Sequence, residues 1–178
     1  MNSKYYDDFR RMTGTEYRGS LKNYLQIMLM HNLRFMWYYR KYEQKKGLFK
    51  RFLMYRLTRK YGLEISVQAH IGSGLYLGHP YNITVAADAT LGNNVNLNKG
   101  CTIGRENRGS RSGVPTIGDR VYVGINSTVV GNITIGEDVM IAPNTLVNQN
   151  IPAHSVVIGN PATIHPKEHA TEGYIIFC

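Results

Sequence analysis

A beat of six residues runs through the back of this chain and restricts it to very few folds. Apolar residues stand at Ile65, Ile71 and Leu77, then at Val85, Leu91, Leu97 and Ile103, then at Ile117, Val123, Val129, Ile135, Ile141 and Val147. Every step is six except one of eight, from 77 to 85, and one of fourteen, from 103 to 117. Two residues before nearly every anchor stands another apolar or small residue, among them Leu63, Ala69, Leu75, Ile83 and Cys101. A helix repeats at about 3.6 residues and a strand at about two, so neither alone sustains a beat of six. A chain that turns a corner every six residues does, with an anchor pointing inward on each side. Glycine follows the anchor at 72, 78, 92, 104, 118, 124 and 136, where it frees the backbone to turn. The expectation is an all-β solenoid over 63–165, with Cys101 a small core residue and not a redox group.

The front, 1–62, reads as helix. Leu21, Leu25, Leu29, Leu33, Met36 and Tyr39 recur at helical spacing and predict one apolar face, into which Asn32 intrudes. His31 falls off that stripe, in a solvated or packing role. A second helix carries Phe49, Phe52, Leu53 and Leu57 and ends where Gly62 can cap it. Charge divides at the same boundary. Residues 1–62 hold 15 Lys and Arg against 4 Asp and Glu, whereas 63–178 hold 6 against 8. The basic front is expected to cap the solenoid with its long side chains wet, peripheral contact with an anionic membrane being the other reading. No nucleic-acid recognition motif accompanies the charge. No run approaches the roughly 18 apolar residues of a membrane span, and the first residues lack the pattern of a signal peptide, so the expected location is cytoplasmic. Two cysteines, Cys101 and Cys178, give no metal spacing, and no metal is expected.

His79 stands where the beat stretches from six to eight. An irregular corner in a regular solenoid can re-aim a functional side chain; equally, such a histidine can hydrogen-bond backbone at the bend. The longer step falls in 104–115, an exposed loop carrying Arg105, Arg108 and Arg111. These arginines can face anionic groups or remain solvated.

The stretches "SGLYLGHPYNITV", "NKGCTIG", "PTIGDRVYVGINSTVVGNITIGEDVMI" and "SVVIGNPA" resemble the hexapeptide-repeat acyltransferases, on the branch of the serine acetyltransferases and their relatives in polysaccharide gene clusters. The resemblance implies a left-handed parallel β-helix with an N-terminal α-helical extension, a little over four coils, a tail at 166–178 and a homotrimer with CoA between subunits. It implies acetyl transfer from acetyl-CoA to a hydroxyl, with His79 as general base and Glu64 as its orienting carboxylate. It maps CoA contacts to Gly124, Ile125, Ala142 and Pro143, the nucleotide end to Asn160 and Pro161, and a phosphate contact to Lys167. The sequence also departs from the serine enzymes. Gly78 stands where they hold the amino acid with an aspartate, Gly113–Val114 replaces an arginine–histidine pair, and the helical front is shorter than theirs. Those absences point away from serine to a less charged acceptor, a sugar hydroxyl of a capsule, exopolysaccharide or O-antigen precursor; serine and a non-catalytic scaffold are the alternatives.

Overall fold

The computed structural model describes residues 3–178; residues 1 and 2 of the helical front lie outside it. Four helices come first: α1 (Ser3–Thr13), α2 (Leu21–Leu29), α3 (His31–Gln44) and α4 (Leu48–Tyr61). The single helix expected through Leu21 and Tyr39 is therefore two. Met30 takes an extended conformation, φ −93° and ψ 111°, and starts α3 on a new phase. The apolar stripe is split by this break. Leu33, Met36 and Tyr39 are buried, while Leu21 and Leu29 stay 76% and 81% exposed.

Fifteen short strands follow, wound as triangular coils. The first coil is β1 (Leu63–Ile65), β2 (His70–Ile71) and β3 (Tyr76–Gly78). The second is β4 (Ile83–Val85), β5 (Thr90–Leu91) and β6 (Asn96–Asn98), and the third β7 (Thr102–Gly104), β8 (Thr116–Ile117) and β9 (Tyr122–Val123). The fourth is β10 (Thr128–Val130), β11 (Thr134–Ile135) and β12 (Val139–Ile141), and the fifth runs from β13 (Leu146–Val147) to β14 (Ser155–Ile158). Strands of successive coils pair in parallel and build three faces: face A of five strands, face B of four and face C of six. Face C ends in β15 (Thr163–Pro166), which turns back antiparallel on β14. Thr84 pairs with Thr102, a step of three hexads. All thirteen anchors are buried, joined by Ile151 and Val157, later positions of a fifth coil that the beat enters only at Val147. That coil is short, since Ile135 bridges Ile151 sixteen residues on instead of eighteen.

Corners repeat as columns. At the edge between faces B and C, Gly74, Asn94, Arg120, Asp138 and His154 all have positive φ. At the edge between C and A, Asn82, Gly100, Asn126 and Asn144 do the same. Asparagine and aspartate tolerate that conformation better than other non-glycine residues, which is why they punctuate the hexads.

Coil-to-coil bonds run from the N–H of one coil to the carbonyl of the next, as from His70 N to Ala89 O at 2.8 Å. The first coil is left with outward carbonyls, and an unpaired sheet edge needs covering. Donors from α3 supply the partners. Asn32 reaches Leu77 O, the Tyr39 hydroxyl reaches Ser66 O and Ala69 O, and Arg40 reaches Ile71 O and Gly72 O. Arg40 also holds Asp8 of α1 in a buried ion pair at 2.8 Å, and Asp8 Oδ1 accepts from Leu75 N at 2.8 Å. Burial pushes the Asp8 carboxyl above its usual range, against the pull of Arg40. Most basic side chains of the front do stay wet, among them Lys22, Lys45, Arg51 and Arg56, but Arg11 and Arg40 are buried. Arg40 is inside, because a carbonyl edge calls for donors.

Candidate active site

The stretched corner between β3 and β4 carries His79 at φ +47°, with Asn82 also left-handed at +54°. The backbone reverses around Pro80, with Tyr81 N donating to His79 O at 2.7 Å. Three segments grip this bend. His31 Nε2 lies 3.0 Å from Pro80 O, and its ring stacks on Tyr61 at 3.9 Å between centroids. Tyr81 packs edge-on against His31 at 5.0 Å. Asn82 N donates to Tyr61 O at 3.0 Å, and Gly100 N donates to Tyr81 O at 3.0 Å. The bend is thus fixed by the start of α3, the end of α4 and the coil above. The His79 side chain itself is exposed.

Glu64 projects outward from β1, at the start of the same coil, and is exposed. Among the described residues, neither its carboxylate nor the His79 ring makes a hydrogen bond or ion pair. Gly78 precedes His79, and a Cβ there would run into the Asn98 Oδ1. Asn98 is buried, and its amide donates to Val123 O at 2.8 Å. Asn98 therefore occupies the space an aspartate at 78 would need, a dependence that no hexad position signals.

The structure brings most of the expected CoA residues onto one line. Gly124, Ile125, Ala142 and Pro143 form the corners between faces C and A in the third and fourth coils, on the same edge as His79. Asn160 and Pro161 continue that edge after β14, joined by a cis peptide bond. Four strand spacings of about 4.8 Å put the Asn160 corner roughly 19 Å from the His79 corner. Gly124 N donates to Ile141 O and Ala142 N to Val157 O, both at 2.9 Å. Those amides are thus committed to the solenoid. Gly124 is required by packing as well, since a Cβ would lie 2.6 Å from Pro143 N. Lys167 is exposed beyond β15, its N–H donating to His154 O.

The arginine loop lies on another edge, between faces A and B. Glu106 and Gly113 exchange backbone hydrogen bonds of 2.9 Å, making the loop a small hairpin, and Asn132 N ties it to the next coil through Arg111 O. Arg105 pairs with Asp88 at 3.2 Å, both exposed. Arg108 and Arg111 are also exposed. Within one subunit, then, the loop arginines and His79 stand on separate edges. Cys101 is buried, which pushes its thiol up to about 12 and keeps it out of thiolate chemistry.

Comparison with known proteins agrees with this architecture. The family pattern described as "Bacterial transferase hexapeptide (six repeats)" matches residues 115–149. Serine acetyltransferase 4 of Arabidopsis thaliana is 32% identical over 144 residues, covering 81% of this chain and 39% of the plant protein. A Staphylococcus aureus serine acetyltransferase is 34% identical over 135 residues, 74% of this chain and 62% of that one. The chain thus spans between two fifths and about three fifths of these relatives' length. The solved serine acetyltransferase of Neisseria gonorrhoeae superposes with a TM-score of 0.73 at 25% identity, over 96% of this chain and 68% of that one. Coils, corners and similarity together place the chain among the hexapeptide-repeat transferases. Within them it belongs to the serine acetyltransferase-like branch.

The expectation of a sugar hydroxyl in a polysaccharide precursor is overturned by these relatives, which are serine acetyltransferases in both comparisons. It rested on side chains missing at 78, 113 and 114 and on a short helical front. The 96% superposition takes in the helices as well as the coils, so the front is no foreign cap. The missing charges bear on how tightly an amino acid is held, not on which hydroxyl is acetylated.

Proposed function

We propose that this chain is an acetyl-CoA-dependent O-acetyltransferase whose acceptor is the side-chain hydroxyl of serine. The observation that carries the reading is the bare, exposed His79 ring at the foot of the edge whose higher corners are Gly124, Ile125, Ala142, Pro143 and Asn160. The relatives' names support serine as acceptor.

In this reading His79 removes the hydroxyl proton as the serine oxygen attacks the thioester carbon. The carbon–sulfur bond then breaks, and the CoA thiolate leaves with the proton from the imidazolium. A positioned base of this kind contributes roughly 10²–10⁴-fold. Glu64 turns onto the ring and stabilises the imidazolium, a contact of the sort that tightens only when substrate arrives. Because the Gly124 and Ala142 amides are already used, the edge offers CoA small residues, corner carbonyls and the exposed Ile125 side chain. Asn160 and Pro161 face the nucleotide end, whereas Lys167, beside His154 on the edge between faces B and C, stands a strand's length away and leaves the expected phosphate contact without support in this subunit. The open edge has one wall per subunit, and a homotrimer supplies the second, bringing a neighbour's Arg105, Arg108 and Arg111 to it. Gly78, Gly113 and Val114 give no charge to serine's ammonium or carboxylate, so the departures show in a high serine KM.

Thiol release from acetyl-CoA is the test. Serine-dependent release that saturates, and a kcat at least about 100-fold lower in His79→Ala, are expected. Absence of serine-dependent release at saturating acetyl-CoA excludes serine. Undiminished release by His79→Ala excludes the base.

A further inference from the structure

Between α3 and α4 lies a cavity of about 580 Å3 whose charged lining is entirely cationic: Arg34, Arg56, Arg59 and Lys60. Tyr38, Leu53 and Leu57 complete the wall. The helical region has four acids to offset such a cluster, Asp7, Asp8, Glu16 and Glu43, and each is directed elsewhere. Asp8 and Glu43 take Arg40, Glu16 takes Arg10, and Asp7 accepts from the Ser73 hydroxyl. None lines the cavity.

The cations are also poorly satisfied. Arg34 Nη1 donates to Met28 O at 2.9 Å, which holds the guanidinium in place, yet its Nε is buried without an acceptor. A buried charged donor left unpaired is costly and calls for an explanation. Among the described residues, Arg59 and Lys60 find only ring faces, those of Tyr55 and Tyr61 at 6.0 and 5.3 Å. Like charges gathered around one space repel unless an anion neutralises them, and guanidinium forks match phosphate oxygens in geometry and number. The volume exceeds that of a bare phosphate ion, and the apolar wall suits an organic remainder.

We propose that the α3–α4 cavity binds the phosphate group of a phosphorylated ligand. It is distinct from the CoA edge, which rises away from the helices, and it does not depend on the identity of the acceptor. A soluble phosphomonoester and the headgroup of an anionic lipid present the same chemistry, and Leu48, Phe49, Phe52 and Tyr55 stand exposed along α4.

The test uses the full chain at constant ionic strength, with excess CoA so that phosphate subsites on the CoA edge are filled. Inorganic phosphate is titrated calorimetrically, and flotation is followed with phosphatidylcholine vesicles with and without phosphatidic acid. Arg56→Gln/Arg59→Gln removes two exposed cations of the cavity; Lys22→Gln/Lys45→Gln removes two outside it. Saturable phosphate binding, weakened at least about tenfold in the cavity variant alone, supports a soluble ligand. Flotation that needs phosphatidic acid and is lost in the cavity variant alone supports a lipid headgroup. Binding of neither probe, or equal loss in both variants, overturns the site.

Discussion

His79 is held from a distance by His31. The His31 ring lies between the Tyr61 face and the Pro80 carbonyl, so it links two helices to the bend that aims the base. Losing one hydrogen bond costs about 1 kcal/mol, but displacing a base by about 1 Å can cost about 10²-fold in rate. His31→Ala is therefore expected to lower kcat between about 5- and 100-fold while serine KM moves little. His31→Gln, which keeps a donor near Pro80 O, should recover part of the loss. An unchanged kcat in His31→Ala, or a melting temperature that falls in step with activity in both variants, assigns His31 to stability alone. The sequence marked His79 because an eight-residue step interrupts a beat of six. Nothing comparable marked His31, Tyr61 or Tyr81. Their roles exist only where separate elements meet, and periodicity within one element cannot report on that. Asn32 is the intermediate case: its place in an apolar stripe demanded a partner, and only the fold showed Leu77 O to be that partner.

Among the elements, the tail is where the sequence was least informative. Residues 170–178 run along the solenoid beside face C. Asn96 donates to Tyr174 O, Tyr174 packs against Tyr122, and Arg10 and Arg11 hold the last carbonyls. The anchor is Asp138, whose carboxylate accepts from Ala170 N, Thr171 N, the Thr171 hydroxyl and His154 Nδ1. Burial pushes this carboxyl up, but the bonds from Thr171, His154 and the amides outweigh it and hold it at about 2. The bond to Asp138 raises His154, helped by Glu168 and Glu137 nearby. Asp138 sits below the ordinary carboxylate value of about 3.9, so its contribution is whole above about pH 4 and fades toward 2. His154 sits above its ordinary value of about 6.5, so its contribution is whole below that pH and fades as pH rises through the raised value. Hydrogen-exchange protection of the Ala170 and Thr171 amides should be greatest between about pH 4 and 6.5 and low throughout in Asp138→Ala. Protection that is flat with pH, or insensitive to that variant, removes the latch. The tail has no beat to read, and a left-handed Asp138 looks in sequence like any other corner residue.

For the molecule as a whole, the beat of six gave the prism, its core and its corners, because each coil repeats one local problem. It did not give the fifth coil beyond Val147, where the hexads shorten, or the reason Arg40 is buried, which is a carbonyl edge in need of donors. Nor did it give the chemistry of the outer faces. Flat apolar outer faces would by themselves argue for a trimer. The outward ladder on face A is instead Thr84, Thr102 and Thr128, and on face B Thr90, Thr116 and Thr134. The better argument is the site itself. His79 and the arginine loop occupy different edges of one prism, so a shared site requires two subunits to meet edge to edge. Sedimentation should then show a trimer. Two inactive variants, His79→Ala and Arg105→Gln/Arg108→Gln/Arg111→Gln, should restore activity when co-expressed. Random assortment gives about one quarter of the interfaces an intact histidine from one subunit and an intact loop from the next. Activity near one quarter of the native value is the expected result. Recovery of none, or a stable monomer at assay concentration, means that each subunit works with its own edge alone, and that the loop belongs to the solenoid surface and not to catalysis.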